Sequence, residues 1–256
     1  MVDSRRGAKR LSFDCEKCRA RADGLCRDCR PEFTRVLALF KSGDRVVAAG
    51  RHLFLFGEPS SAIYGLHDGW VCLYKPLLDG RRQILHFALP NSVLGFPPTE
   101  SGMAYSAQAL TDVTVSVIPR NGLSAMFREH PEMAMRIAAL VSLDRDLAFD
   151  HLSNIGRRTA RQRVAHLLLE LFVRARMRWP GFHTEEMLLP ITQEDIGDTM
   201  GLTGVHVNRV LRELRRERIV EFHYRRLRVI DPDKLLDAAA VDPRLAFSWL
   251  SRTPPG

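Results

Sequence analysis

The 256-residue chain contains no run of 18 or more apolar residues, so nothing in it reads as a transmembrane helix. It has no Gly-x-Ser-x-Gly, no P-loop, no Gly-x-Gly-x-x-Gly and no His-Glu-x-x-His, which removes the usual sequence marks of an enzyme. Its nine histidines (52, 67, 86, 130, 151, 166, 183, 206 and 223) show no metal-ligand spacing. The opening MVDSRRGAKR is basic with no apolar stretch behind it, which argues against a secretory signal and for a cytoplasmic protein. Acidic residues are in deficit, 30 against 38 lysines and arginines, and the formal charge of +8 suits a polyanionic partner. Cysteine is scarce, five in all, and in a reducing compartment those five are poor candidates for structural disulfides. With 45% hydrophobic residues the chain can bury a good core, divided between two domains.

What is present begins with Ile191 to Leu214, ITQEDIGDTMGLTGVHVNRVLREL, which reads as a helix-turn-helix. Thr192 can cap a first helix, with Asp195 reaching back in a capping box. Ile196 and Met200 share one face, and Gly197 between them is small enough for a second helix to cross closely. Gly201 suits the left-handed residue that ends a helix, and Thr203 is placed to cap the next. Val207, Val210, Leu211 and Leu214 form the buried stripe of that second helix. The other face carries His206, Asn208, Arg209, Arg212 and Arg216, polar and cationic groups suited to base edges and phosphates, with Thr203 and the apolar Val205 at its start. Such a helix belongs in a major groove of double-stranded DNA.

Two short β-type runs follow, Ile219 to Phe222 and Leu227 to Ile230, around His223-Tyr224-Arg225-Arg226. A basic hairpin there makes a wing along the phosphate backbone, with Arg225 and Arg226 at its tip. Thr203 to Arg228 holds eight arginines against three glutamates, so +5 of the chain's +8 lies on this unit.

Upstream, short apolar runs from about Arg35 to Pro119 alternate with turns and predict a β-barrel or jelly roll. Pro131 opens a helical pattern whose apolar positions Ile137, Leu140, Val141, Leu147, Ala148, Leu152 and Ile155 form a seam running to about Gly156. Roughly 25 residues span about 37 Å, and the position of this helix between a β domain and a DNA reader predicts a homodimer interface. Asp144 and Asp146 lie in or beside that seam. A second helix from Thr159 to Arg178 opens the C-terminal domain. The expected organisation is a cysteine-rich segment (1–30), a β-roll sensor (31–128), a dimer helix (129–156) and a winged helix-turn-helix (157–256), an α+β chain.

Cys15, Cys18, Cys26 and Cys29 form two C-x2-C pairs within 15 residues, a strong sign of a metal site. Zinc is satisfied by four thiolates, and a dithiol switch is a further alternative. The fifth, Cys72, sits in an apolar strand and reads as a small buried hydrophobe.

A β-roll, a long helix and a winged helix-turn-helix in this order resemble the Crp/Fnr family of bacterial transcription regulators, over about residues 13–230. Gln193 to Gly197 and Met200 to Thr203 carry the likeness most closely, and Leu94-Gly95-Phe96 with Ser106 to Leu110 look like the Fnr-type branch. The resemblance implies a homodimer that binds DNA and contacts RNA polymerase. The spacing C-x2-C-x7-C is similar to that of FnrN-type oxygen sensors, which implies a [4Fe–4S] cluster on Cys15, Cys18 and Cys26. The family's fourth ligand position corresponds to Ser116 here, leaving Cys29, with Cys72 as the alternative, to complete the set. Cyclic-nucleotide binders of the family hold the phosphate with Gly-Glu and Arg-Ser pairs. Phe96 and Tyr105 stand in place of the glutamate and arginine, so no cyclic nucleotide is expected. Haem or a small ligand in the β-roll, with His67 or His86 as an axial ligand, is the other sensory alternative. The family also carries a glutamate ahead of its base-reading arginine, where this chain has Val205 before Arg209.

Overall fold

The computed structural model describes residues 31–59, 61–96, 102–176 and 184–241. The chain divides within its longest helix, between Asp144 and Arg145, into two compact units. The first holds two four-stranded sheets. One runs β1 (Gly43–Val47), β8 (Val113–Pro119), β3 (Ala62–Asp68), β6 (Val93–Leu94); the other runs β2 (His52–Phe54), β7 (Ser106–Ala109), β4 (Val71–Pro76), β5 (Arg82–Ala88). Pairing is antiparallel, with β3 aligned on β8 and β4 on β7. Leu53, Leu66, Val71, Ala107, Val113 and Val115 fill the space between the sheets, joined by the stacked rings of Phe54 and Tyr64. This is the β-roll the alternating runs imply.

The β pattern was expected to start near Arg35, but residues Pro31–Phe40 form helix α1. Val36 and Leu37 lie about one turn from Phe40 and pack with it against Ile63 and Ile118 on the outer side of β3 and β8. Helix α2 (Arg120–Glu129) and the start of α3 (Pro131–Arg157) complete this second cluster through Met126, Met133 and Ile137.

Helix α3 departs from its expected seam. Ile137 and Leu147 are buried against their own chain, and Leu140 and Ile155 are half-buried. The apolar face left open keeps Val141 and Leu152 (68% exposed) from that seam and adds Met135 (73%) and Phe149 (60%). Met135, Ala138, Ser142, Arg145, Phe149 and Leu152 follow a three–four spacing. Arg145, within this row, pairs with Asp146, while Asp144 is half-buried. The two apolar faces overlap in sequence, and periodicity alone merged them.

The second unit surrounds α4 (Ala160–Arg176), in which every residue from Val164 to Arg174 is buried. A helix apolar nearly all round must be covered on all sides. The cover comes from α5 (Gln193–Met200), α6 (Gly204–Arg216) and α7 (Pro232–Ala239). Three polar side chains are buried along α4. Arg174 donates to Glu170 at 2.7 Å, and His166 lies 3.4 Å from Asp150 of α3. Among the described residues no helix is long and apolar enough to cross a membrane.

Two histidines are half-buried in environments that disfavour their charge. Burial pushes His67 on β3 below its ordinary value, against the pull of Asp44 and with a smaller push from Lys41. Burial does the same to His151 on α3, against Glu170, a hydrogen bond to the Thr199 backbone and Asp150, and with His166 acting in the same direction as burial. The unfolded chain therefore takes up these protons first. The stability they contribute is full above about pH 6.5 and falls as pH drops below it. Thermal melts taken from about pH 7.5 down to about pH 5.5 should show a smaller loss of stability in the His67→Gln, His151→Gln double variant than in the parent.

Candidate nucleic-acid interface

The helix pair at Thr192–Arg216 is set by local chemistry. Thr192 caps α5: its hydroxyl accepts from the Asp195 backbone at 3.1 Å, and the Asp195 carboxylate accepts from the Thr192 backbone at 2.7 Å. Glu194 and Asp195 in the first turn complement the positive end of the helix. Gly201 ends it in the left-handed conformation (φ 64°). At Gly197 the tight neighbour is the turn itself: a Cβ there would lie 2.7 Å from the Leu202 carbonyl and 3.8 Å from Val207. The Leu202 backbone N–H donates to the Gly197 carbonyl at 3.0 Å, locking the corner.

Helix α6 then starts at a second cap, where the Thr203 hydroxyl accepts from the His206 backbone at 3.3 Å. Val207, Val210, Leu211 and Leu214 are buried, as their spacing requires. Val205, His206, Arg209, Arg212 and Arg216 point outward. With Asn208 and Glu213, four of these line a shallow cavity of about 400 Å³. Asn208 is half-buried and donates to the Gln193 side chain of α5 at 3.1 Å. Thr203 spends its hydroxyl on the cap and lies 3.3 Å from the His206 ring. Thus Thr203 and Asn208 position the face, while Val205, His206, Arg209, Arg212 and Arg216 present it.

A three-stranded sheet follows: β10 (Val220–His223) and β11 (Arg226–Val229), with β9 (Glu185–Leu188) on the far side of β11. The hairpin turns through Tyr224 (φ 49°) and Arg225 (φ 60°), the two left-handed residues a tight turn of this twist demands. Both side chains are exposed. Arg226 is engaged by Glu186 of β9 and Arg228 lies 3.7 Å from Glu221. Arg209, Arg212 and Arg225 have no ion-pair partner among the described residues. At the end of α6, Arg161 of α4 grips Glu217 with both amines, at 2.8 and 2.5 Å. That hydrogen bonding holds the Glu217 carboxyl below the usual carboxylate range, so it stays ionised and neutralised beside the arginine-rich face.

Sequence reasoning missed Gln193 as the anchor of Asn208 and β9 as the third strand. Strand β9 buries only Met187, so it has no alternation to detect. Gln193 could have been found from helix geometry, because it faces Asn208 across the turn.

In the first unit, Ser116 donates to buried Asp44 at 2.5 Å and lies 2.6 Å from His67 Nε2, while Lys41 pairs with Asp44 at 2.9 Å. Cys72 is fully buried in β4, opposite Gln108. His86 is half-buried on β5. Gly95 adopts φ 87° and contacts Tyr105, whose phenol is held above its usual range by burial. The Ser106 hydroxyl accepts from the Phe56 backbone at 3.0 Å. Cys15, Cys18, Cys26 and Cys29 lie outside the described residues.

Comparison with known proteins adds the following. Residues 162–238 match the model of a Crp-like helix-turn-helix domain, and residues 44–130 match that of a cyclic nucleotide-binding domain. The chain is 33% identical to the transcriptional activatory protein AadR of Rhodopseudomonas palustris, over 89% of this chain and 94% of that protein. It is 27% identical to the transcriptional activator protein FnrL of Cereibacter sphaeroides, over 89% and 92% respectively. The solved structure of FixK2 from Bradyrhizobium japonicum is 30% identical and covers 78% of this chain and 98% of its own, with a TM-score of 0.69.

Replacing Gly197 by Ala forces its methyl against the Leu202 carbonyl. The cost should be about 1–3 kcal/mol, the range for overpacking a tight site, read from urea unfolding of the intact chain.

Proposed function

The chain belongs to the Crp/Fnr family of DNA-binding transcription regulators, and on that premise we propose that it acts as a homodimer whose N-terminal cysteines sense oxygen or redox state. The reading of the output end rests on one observation: an outward α6 face carrying Arg209, Arg212 and Arg216 beside an arginine-bearing wing. Arg209 supplies a forked donor to a base edge or phosphate, and Arg225 reaches the backbone from the wing. RNA polymerase is the partner through which the bound regulator acts.

The dimer forms along the exposed row of α3. Met135, Phe149 and Leu152 lie on a row of coiled-coil spacing, with Val141 beside it, and a second copy covers this apolar stripe. Arg145 and Asp146 then lie where each copy can meet the other's opposite charge. Replacing Phe149 and Leu152 together by Asp should shift the protein to monomer in sedimentation and weaken DNA binding, without lowering its helix content. A dimer of unchanged affinity would overturn this assignment.

In the sensor, the positions at which the family's cyclic-nucleotide binders place a glutamate and an arginine carry Phe96 and Tyr105. Tyr105 engages Gly95, and Ser106 is spent on Phe56. No cyclic nucleotide is the signal. Ser116 is tied into the Asp44–His67 network and Cys72 is enclosed in the core, so neither serves as an exposed ligand. The donor set that fits a [4Fe–4S] cluster is therefore Cys15, Cys18, Cys26 and Cys29. A bound cluster supplies oxygen-labile cross-linking of that segment, which runs directly into α1. Zinc is the rival occupant, because four thiolates satisfy it equally.

Iron, sulfide and zinc counted on anaerobically purified protein decide between the two. Iron and acid-labile sulfide in equal amounts are expected, lost in Cys29→Ser and kept in Cys72→Ser. Stoichiometric zinc without sulfide would overturn the redox-cluster assignment.

A further inference from the structure

Two residues at the start of α6 are poorly explained by folding. Val205 is 80% exposed and lies outside the buried set of Val207, Val210, Leu211 and Leu214. Valine is also a weak helix former, so it supports neither the core nor the helix. Gly204, beside it, has an ordinary helical conformation, and a Cβ there would meet nothing within 4 Å. The fold therefore does not require glycine at this position, although glycine weakens a helix. Together they put a bare backbone and a stiff, branched apolar side chain on a face otherwise polar and cationic.

In the major groove, the one apolar group on any base edge is the 5-methyl of thymine. We propose that Val205 recognises that methyl group, and that Gly204 lets the groove wall approach closely enough for contact. The inference rests on the DNA-binding reading above and names the bases read. Arg209 is one helical turn further along the same face and shares the cavity with Val205. Four residues advance about 6 Å along the helix, and stacked bases are about 3.4 Å apart. The half-site therefore holds a thymine within about two base pairs of a guanine paired with Arg209. Among the neighbours, Thr203 caps the helix with its hydroxyl 3.3 Å from the His206 ring, and Asn208 is tied to Gln193. The specific pair is thus one methyl contact and one forked hydrogen bond.

The test uses the full-length protein and pools of duplex DNA with randomised positions. Wild type should enrich a two-fold motif, and Arg209→Ala should lose preference for one guanine in each half. Within two base pairs of it, wild type should select thymine and Val205→Ala should select no base. Replacing that thymine by deoxyuridine removes only the methyl group. It should weaken wild-type binding about fourfold per half-site, the value of one buried methyl-sized group, and leave Val205→Ala unchanged. Val205→Glu should shift selection at this position to cytosine, whose amino group a carboxylate can accept from. An enriched motif whose thymines tolerate deoxyuridine overturns the methyl contact alone. A pool from which wild type enriches no sequence overturns the DNA-binding reading with it.

Discussion

Helix α4 has no solvent face along its central eleven residues, Val164 to Arg174, and that constraint orders everything after it. An isolated segment of this kind cannot be stable in water; it needs apolar cover on every side. Helices α5, α6 and α7 are that cover; α6 and α7 each contribute one stripe and leave the other face to solvent, while α5 exposes only Glu194. For α6, the stripe of Val207, Val210, Leu211 and Leu214 fixes the rotation of the helix about its own axis. Once that rotation is fixed, Val205 and Arg209 have nowhere to point but outward. The outward face of α6 is thus a by-product of core packing, which is why it can be rigid without being buried.

Features written in short-range chemistry were legible in the sequence. The Thr192–Asp195 capping box, the left-handed Gly201 and the Thr203 cap all involve residues within a few positions of one another, and side-chain type nearly dictates the geometry. The β-roll could be anticipated from alternation and turns. Helix α3 was harder, because one face packs on its own unit through Ile137 and Leu147 while another carries Met135 and Phe149. A sequence lists both sets of apolar residues without saying which partner each one meets. Helix α1 was missed because its unbroken apolar run, Val36 to Phe40, fits either period, and only packing against Ile63 and Ile118 selects the helix. The Asp44–Ser116–His67 network joins positions 49 and 72 residues apart, and no local pattern announces it.

The two units use polar groups in opposite ways. In the β-roll, Lys41, Asp44, Ser116 and His67 close on one another and leave little charge to offer a ligand. In the second unit, the Arg174–Glu170 pair and Asp195 are buried, but the rest of the charge is kept at the surface and only partly neutralised. Arg161 satisfies Glu217, and Glu186 and Glu221 engage wing arginines. These carboxylates hold part of the arginine cluster in place while leaving Arg209, Arg212 and Arg225 to the solvent. Such partial neutralisation limits mutual repulsion in the free protein and keeps donors available for a polyanion.

The tip of the wing bends through Tyr224 and Arg225 in a conformation that Asn-Gly would adopt with less strain. The hairpin gives up backbone comfort to carry a phenol and a guanidinium at its most prominent point. Laboratory evolution for heat resistance alone would be drawn to this turn, since relaxing it is among the simplest ways to firm up the hairpin. The variant it produced would be sturdier and blunter. Selection for tolerance and selection for grip therefore pull against each other at two adjacent codons.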